Sequence, residues 1–166
     1  MVENDIIWGG SGIEKVTYEF IKDRVPLNST VVEFGGGDCS TRALGSIYNL
    51  YTVEHNPGWV GRYNELTEYI YAPLEDGWYK IKPLKEGLPE KIDFLFIDGP
   101  SGGGVWMRDG MLKNLDILNL EKTIIVIHDT FRSKDEKFAK DLAKQLNKEV
   151  KFYEEGSPKD YWALIQ

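Results

Sequence analysis

Cysteine is nearly missing. Cys39 is the only one in 166 residues, which excludes an internal disulfide framework and a cysteine-rich zinc site. Histidine is scarce too, with only His55 and His128. No apolar run is long: Phe94–Ile97 and Ile124–Ile127 fall far short of the ~20 residues that cross a bilayer, so no membrane span is expected. The stretch MVENDIIWGG at the N-terminus has no basic segment leading into a long apolar one, so no secretory leader is expected and the cytoplasm is the simplest location. Lys and Arg are never clustered, and the net charge is −7, which argues against nucleic acid as a partner. What remains is 42% hydrophobic and 28% charged, the composition of a single globular domain over residues 1–166.

Hydrophobic periodicity alternates between helix and strand. An amphipathic helix is expected over Ile13–Arg24, with Ile13, Val16, Phe20 and Ile21 on its apolar face and Pro26 beyond its end. Strands follow at Thr30–Phe34, Leu50–Val53 and Glu68–Tyr71, with helices at Ser40–Tyr48 and Pro57–Glu65 and an edge strand or hairpin near Gly77–Ile81. The second half reads as strand Ile92–Ile97, helix Met107–Leu118, strand Thr123–Ile127, and a helix opened by a Ser133-x-x-Glu136 capping box. Two last strands, Val150–Tyr153 and Tyr161–Ile165, are joined by turn residues only. They must therefore run antiparallel, because a parallel pair needs a long crossover. The expected fold is α/β with three layers: a doubly wound, mostly parallel sheet ending in an antiparallel hairpin.

The stretch VVEFGGGDCS stands where the first strand meets the ligand side of such a sheet. Gly35, Gly36 and Gly37 allow close approach of a ligand, and Asp38 or Ser40 is placed to cap the next helix. Glu54 ends the second strand, 19 residues past Gly35, where a carboxylate can hold both hydroxyls of a ribose. A dinucleotide site and an S-adenosylmethionine (SAM) site share these features. Ser40 in place of the third glycine weighs against the dinucleotide. Glu33 does so as well, because its charge disfavours a pyrophosphate and favours a sulfonium or ammonium group.

VVEFGGGDCS resembles the Glu-x-Gly-x-Gly motif of class I SAM-dependent methyltransferases. YTVEH resembles their ribose-binding motif, DFLFIDGP their fourth motif, and TIIVIHDTFR their fifth strand with its loop. The terminal hairpin also fits their sheet, so the resemblance spans Thr30 to Gln166. It implies a methyltransferase that binds SAM through Glu33, Gly35, Gly36, Gly37, Ser40, Glu54 and Asp98. His55, Pro73 and Leu74 would border the adenosine. Cys39 departs from the family's small residue and reads as packing.

Two neighbouring apolar strands end abruptly in Asp98 and in His128-Asp129. These three residues are the catalytic candidates. Asp98 and Asp129 with waters would suit Mg²⁺, which lowers the pKa of a bound hydroxyl. Alternatively, His128 would serve as a general base without metal. Arg108 and Arg132 could clamp an acidic group on the acceptor. Trp106 lies beside the Gly102–Gly104 loop, and Trp78-Tyr79 lies after the third strand; each could offer a stacking face at the mouth of the site. The first 28 residues or so could cover the acceptor. A local pattern, Asp-Gly-Pro with Arg and His-Asp with Arg, resembles the sugar O-methyltransferases that act on glucuronosyl units of plant xylan. The expected activity is methylation of a hydroxyl on a small molecule or glycan. The alternatives are an NAD(P)-binding oxidoreductase and a non-catalytic SAM-binding module.

Overall fold

The computed structural model describes residues 5–9, 12–100, 108–154 and 161–166. In chain order the strands are β1 (Thr30–Phe34), β2 (Asn49–Glu54), β3 (Thr67–Tyr71), β4 (Leu74–Glu75), β5 (Trp78–Tyr79), β6 (Phe94–Ile97), β7 (Ile124–His128), β8 (Val150–Tyr153) and β9 (Trp162–Ile165). The helices are α1 (Lys15–Arg24), α2 (Ser40–Gly45), α3 (Ile81–Gly87) and α4 (Ser133–Leu146). Seven strands form one sheet in the order β3-β2-β1-β6-β7-β9-β8. The first five in that order are parallel, and β9 runs against both β7 and β8. The final hairpin is thus inserted with its second strand innermost.

Side-chain alternation divides the core into two layers of contact. Val31, Phe94, Phe96 and Val126 face α1 and α2 through Tyr18, Ile21, Ala43 and Leu44. Val32, Leu95, Ile97, Ile125 and Ile127 face the other way, onto Leu84 of α3 and Phe138, Ala139 and Leu142 of α4. Both faces are covered, which is why the central strands are apolar throughout. No helix of the described residues is long and apolar enough to cross a membrane.

Local details depart from the sequence expectations. On α1 the buried residues are Thr17, Tyr18 and Ile21 while Val16 is exposed; the Tyr18 ring, 4.9 Å from that of Trp8, takes the inward face. Residues 57–65 form successive turns rather than a helix, and Gly61 has φ +85° within them. The helix expected over Met107–Leu118 is two short 3-10 segments, Arg108–Lys113 and Leu115–Ile117. Gly110 presses there against Trp78, where a Cβ would come within 2.5 Å of the Trp78 Cβ. The expected capping box is not formed: Arg132 is the N-cap of α4, with no side-chain cap, and Glu136 bonds Lys140 Nζ at 2.5 Å instead. Helix α3 carried no sequence expectation. Gly102–Gly104, Trp106, Met107 and the turn at Gly156–Pro158 lie outside the described residues.

Candidate active site

The chain leaves β1 at Gly35, whose φ is +88°. All three amides of the glycine corner are used internally. Gly35 N–H donates to Val53 O at 2.9 Å, Gly36 N–H to Glu54 Oε2 at 2.9 Å, and Gly37 N–H to Thr41 Oγ1 at 2.9 Å. The corner is therefore no open nest for a pyrophosphate. The three glycines also have different reasons to lack a side chain. A Cβ on Gly35 would stand 2.6 Å from Gly99 N, and one on Gly36 2.9 Å from Thr52 Cγ2. A Cβ on Gly37 would meet only Ser40 Oγ, at 3.7 Å, and otherwise project into open space. Only Gly37 is bare for the sake of the cleft.

The capping role expected of Asp38 or Ser40 is not taken up. The N-cap of α2 is Cys39, without a side-chain cap. Asp38 accepts the Tyr63 hydroxyl, and Ser40 is buried beside Glu33. Cys39 Sγ lies 3.2 Å from Ile13 O as donor, and burial pushes its thiol up to about 11. It is a packing residue rather than a thiolate.

Two acids stand behind the corner. Glu33 is fully buried; its Oε2 accepts Thr41 Oγ1 at 2.6 Å and Thr52 Oγ1 at 3.0 Å. Burial raises its carboxyl to about 7 against the opposing pull of the Ser40, Thr41 and Thr52 hydroxyls. Glu54, 3% exposed, accepts the amides of His55 and Asn56 on Oε1, each at 2.7 Å, besides that of Gly36 on Oε2. His55 Nδ1 lies 3.1 Å from Glu54 Oε1. Pro73 and Leu74 follow β3, and Pro73 O accepts Lys80 N–H at 2.9 Å. Trp78 and Tyr79, expected at the mouth, are buried instead against Phe34, with ring centroids at 5.6 and 5.4 Å.

One and two strands away from β1, the ends of β6 and β7 bring Asp98, His128 and Asp129 together; one ligand atom from each lies within 4.8 Å of the others. His128 Nδ1 is 3.3 Å from Asp98 Oδ1 and 3.7 Å from Asp129 Oδ1. His128 itself is 3% exposed, and its Nε2 is buried with no hydrogen-bond partner. Burial alone would lower the His128 pKa, yet Asp98 and Asp129 outweigh it and the net shift is upward. For Asp98 burial raises the pKa, but His128, Arg108 and Arg132 prevail and the net shift is downward. Asp129 has φ +62°, a left-handed backbone that turns its carboxylate toward the cleft side of the strand end.

Arg108 ties these strand ends together. It is 2% exposed. Its Nη1 donates to His128 O at 2.7 Å and lies 3.3 Å from Asp135 Oδ1. Its Nη2 donates to Asp98 O, 3.5 Å from Asp98 Oδ1 and 3.8 Å from Asp129 Oδ2. A guanidinium so occupied holds the protein's own strand ends. Arg132 binds Asp129 Oδ2 and lies 3.7 Å from Asp135 Oδ2. The two carboxylates expected to hold Mg²⁺ are thus already compensated by two guanidiniums, and the third donor is an imidazole nitrogen. That set does not fit Mg²⁺, which needs open oxygen ligands.

A cleft of about 600 Å³ joins the two halves. Gly35, Gly36, Gly37 and Ser40 line it on one side, and Asp98, Asp129, Phe131 and Arg132 on the other. Ile7, Gly9 and Gly12 from the N-terminal segment also line it. Glu33, Glu54, His55, Arg108 and His128 support this cleft from behind and do not line it. Sequence reasoning missed Thr41, Thr52 and Asp135. Only Asp135 left a signal, as an acid in the first turn of a helix after Arg132.

No protein-family model and no curated protein sequence matches this chain. Solved structures do. The C-terminal domain of precorrin-6Y C5,15-methyltransferase from Rhodobacter capsulatus superposes with a TM-score of 0.65 at 11% identity, covering 99% of this chain and 95% of that one. A methyltransferase from Geobacter sulfurreducens gives 0.62 at 14% identity, over 96% and 80%. MycE methyltransferase of the mycinamycin biosynthetic pathway, in complex with Mg and SAH, gives 0.54 at 16% identity, over 95% and 49%. With the sheet order and the inserted antiparallel strand, these likenesses establish that the chain has the fold of the class I SAM-dependent methyltransferases.

Proposed function

We propose that the protein is a SAM-dependent methyltransferase acting on a hydroxyl of a small molecule or sugar. One observation carries this reading: the bare Gly37 corner and the carboxylates of Asp98 and Asp129 line the same cleft. Bound there, SAM supplies an electrophilic methyl group on a cationic sulfur. The corner receives it through shape, since its amides are engaged, and the neighbouring acids favour its positive charge. Glu54, buried behind the cleft wall, fixes Gly36 and so acts on the ribose side through that backbone.

Asp98 is the residue in this cleft that takes the acceptor's proton. Its Oδ1 is turned to His128, and Oδ2 takes no part in that contact. A carboxylate of low pKa is a weak base, but that is sufficient: an alcohol oxygen that gains a methyl group, as the methyl–sulfur bond breaks and leaves a neutral thioether, is strongly acidic, and its proton would pass to Asp98. His128, buried and shifted toward its protonated form, cannot be the free base expected of it; it acts as the positioning residue that aims Asp98. Mg²⁺ is the property of the MycE complex and forms no part of this mechanism. The mixed charges of the cleft favour a small-molecule or glycan acceptor over nucleic acid.

Methyl transfer from labelled SAM into a fractionated lysate, with the labelled product identified, tests the reading. Turnover at saturating SAM should persist in EDTA and fall about 10²–10⁴-fold in Asp98→Asn. Binding without transfer in any fraction would leave a SAM-binding module. Nicotinamide-dependent quenching without SAM binding would favour the oxidoreductase.

A further inference from the structure

Thr41 stands between a buried acid and the wall of the cleft. Gly37 N–H donates to Thr41 Oγ1 at 2.9 Å, and Thr41 O–H donates to Glu33 Oε2 at 2.6 Å. A hydroxyl has one proton, so these two bonds fix its direction. The same Glu33 oxygen accepts Thr52 O–H at 3.0 Å, and Thr52 Oγ1 lies 2.8 Å from Thr67 Oγ1. Glu33 Oε1 is buried with no hydrogen-bond partner. The other groups that bear on Glu33 are the Ser40 hydroxyl and the Asp98 carboxylate. Glu33 in turn bears on Cys39, Tyr69 of β3 and Tyr79 of β5.

We propose that Thr41 is a positioning residue for the cofactor, which transmits the charge of Glu33 to the Gly37 amide on the cleft wall. The proposal rests on the methyltransferase reading. When Glu33 is ionised, the Thr41 bond to it is charge-assisted, and its polarised oxygen holds the Gly37 N–H more tightly. A proton arriving on the unpartnered Oε1 turns Oε2 into a neutral, weaker acceptor, and the hold on Gly37 slackens. The same proton removes a negative charge that favours a cationic ligand.

Burial sets the Glu33 carboxyl at about 7. The ionised share then rises from about one tenth at pH 6 to about nine tenths at pH 8. SAM affinity should therefore increase about tenfold over that interval. The sign is that of an acid charged in the productive state: affinity is gained as pH rises through the pKa and lost below it.

Two measurements on the full chain test the coupling. The first needs no ligand: the ¹⁵N and ¹H shifts of the Gly37 amide, followed from about pH 5.5 to 8.5, should titrate in wild type and in Thr41→Ser. They should be flat in Thr41→Val and in Glu33→Gln. A Gly37 amide that titrates unchanged in Thr41→Val would overturn the role of Thr41. The second is calorimetry with SAM across the same range. Thr41→Val should weaken binding about tenfold at pH 8 and reduce the pH slope to the part left by the Glu33 charge itself, and Thr41→Ser should restore both. A Thr41→Ser variant no better than Thr41→Val would reduce the residue to a space-filling role. Absence of SAM binding at every pH, with the Gly37 titration present, would reject the methyltransferase reading and leave the Glu33–Thr41–Gly37 linkage intact.

Discussion

Gly35 and Gly99 meet back to back. A Cβ on Gly35 would stand 2.6 Å from Gly99 N, and a Cβ on Gly99 would stand 2.7 Å from Gly35 Cα. The ends of β1 and β6 can close on each other only because neither residue has a side chain. Gly35→Ala should therefore cost about 2–4 kcal/mol of stability, from the left-handed backbone and the backbone clash together. Gly37→Val should behave in the opposite way. It should leave stability within about 0.5 kcal/mol yet weaken SAM binding more than about 100-fold, because its side chain occupies the cleft. Urea titration and calorimetry separate the two; equal effects of both variants on stability would contradict the distinction.

Arg108 should be worth more to the fold than to the acceptor. Arg108→Met leaves the Asp98, Asp129 and Asp135 carboxylates and two strand-end carbonyls without their common partner. Loss of one member of such a buried network costs about 3–5 kcal/mol. Arg108→Lys should recover little, since one ammonium cannot reach both carbonyls in the way the planar fork does. Chemical denaturation of the three proteins gives the answer.

Glu54 carries two tasks, so its loss should show in two readouts. Glu54→Ala should weaken SAM by about 1.5–3 kcal/mol, or about 10–150-fold. It should also lower the thermal midpoint, because three amides lose their acceptor. Unchanged affinity with a lowered midpoint would assign the residue to the backbone alone.

The Asp98–His128 contact makes stability depend on pH in both directions. Asp98 lies below its ordinary pKa when folded, so its contribution is present above the unfolded value near 3.9 and is lost as pH falls through the folded one. His128 lies above its ordinary pKa, so its contribution is full below about 6.5 and is lost as pH rises through the folded value. The pair should stabilise most between about pH 4 and about pH 6.5. Asp98→Asn should flatten both flanks of the stability profile, which denaturation at a series of pH values would reveal.

The sheet was legible because its strands are short, apolar and evenly spaced, and because no helix fits between Tyr153 and Tyr161. The site was legible as residue types at strand ends: the glycine corner, Glu54, Asp98, His128 and Asp129. Which way those side chains turn was not. His128 follows Ile127 as the last residue of β7, and sequence alone cannot say that its ring points inward beneath Asp98 rather than out to the cleft. Arg108 shows the same limit. A basic residue after a glycine-rich loop reads as an acceptor clamp until tertiary contacts bury it against two carbonyls. Helix α3 was missed because Pro83 falls in its first turn, where proline is tolerated but reads as a breaker. The segment at 57–65 failed in the other direction: Arg62 and Glu65 favour helix, but Gly58 and Gly61 interrupt it.

The insertion of β9 between β7 and β8 has a consequence for synthesis. A ribosome delivers β7 long before β9, so the growing chain holds an apolar strand with one edge unpaired while α4 and β8 emerge. Docking β8 directly on β7 would be a parallel pairing across α4, a topologically permitted error. It is undone only when Trp162–Ile165 arrives and pairs on both sides. Those four residues, all buried, therefore act as the keystone of the sheet. A chain stalled before them should offer its open edge to chaperones or to other chains.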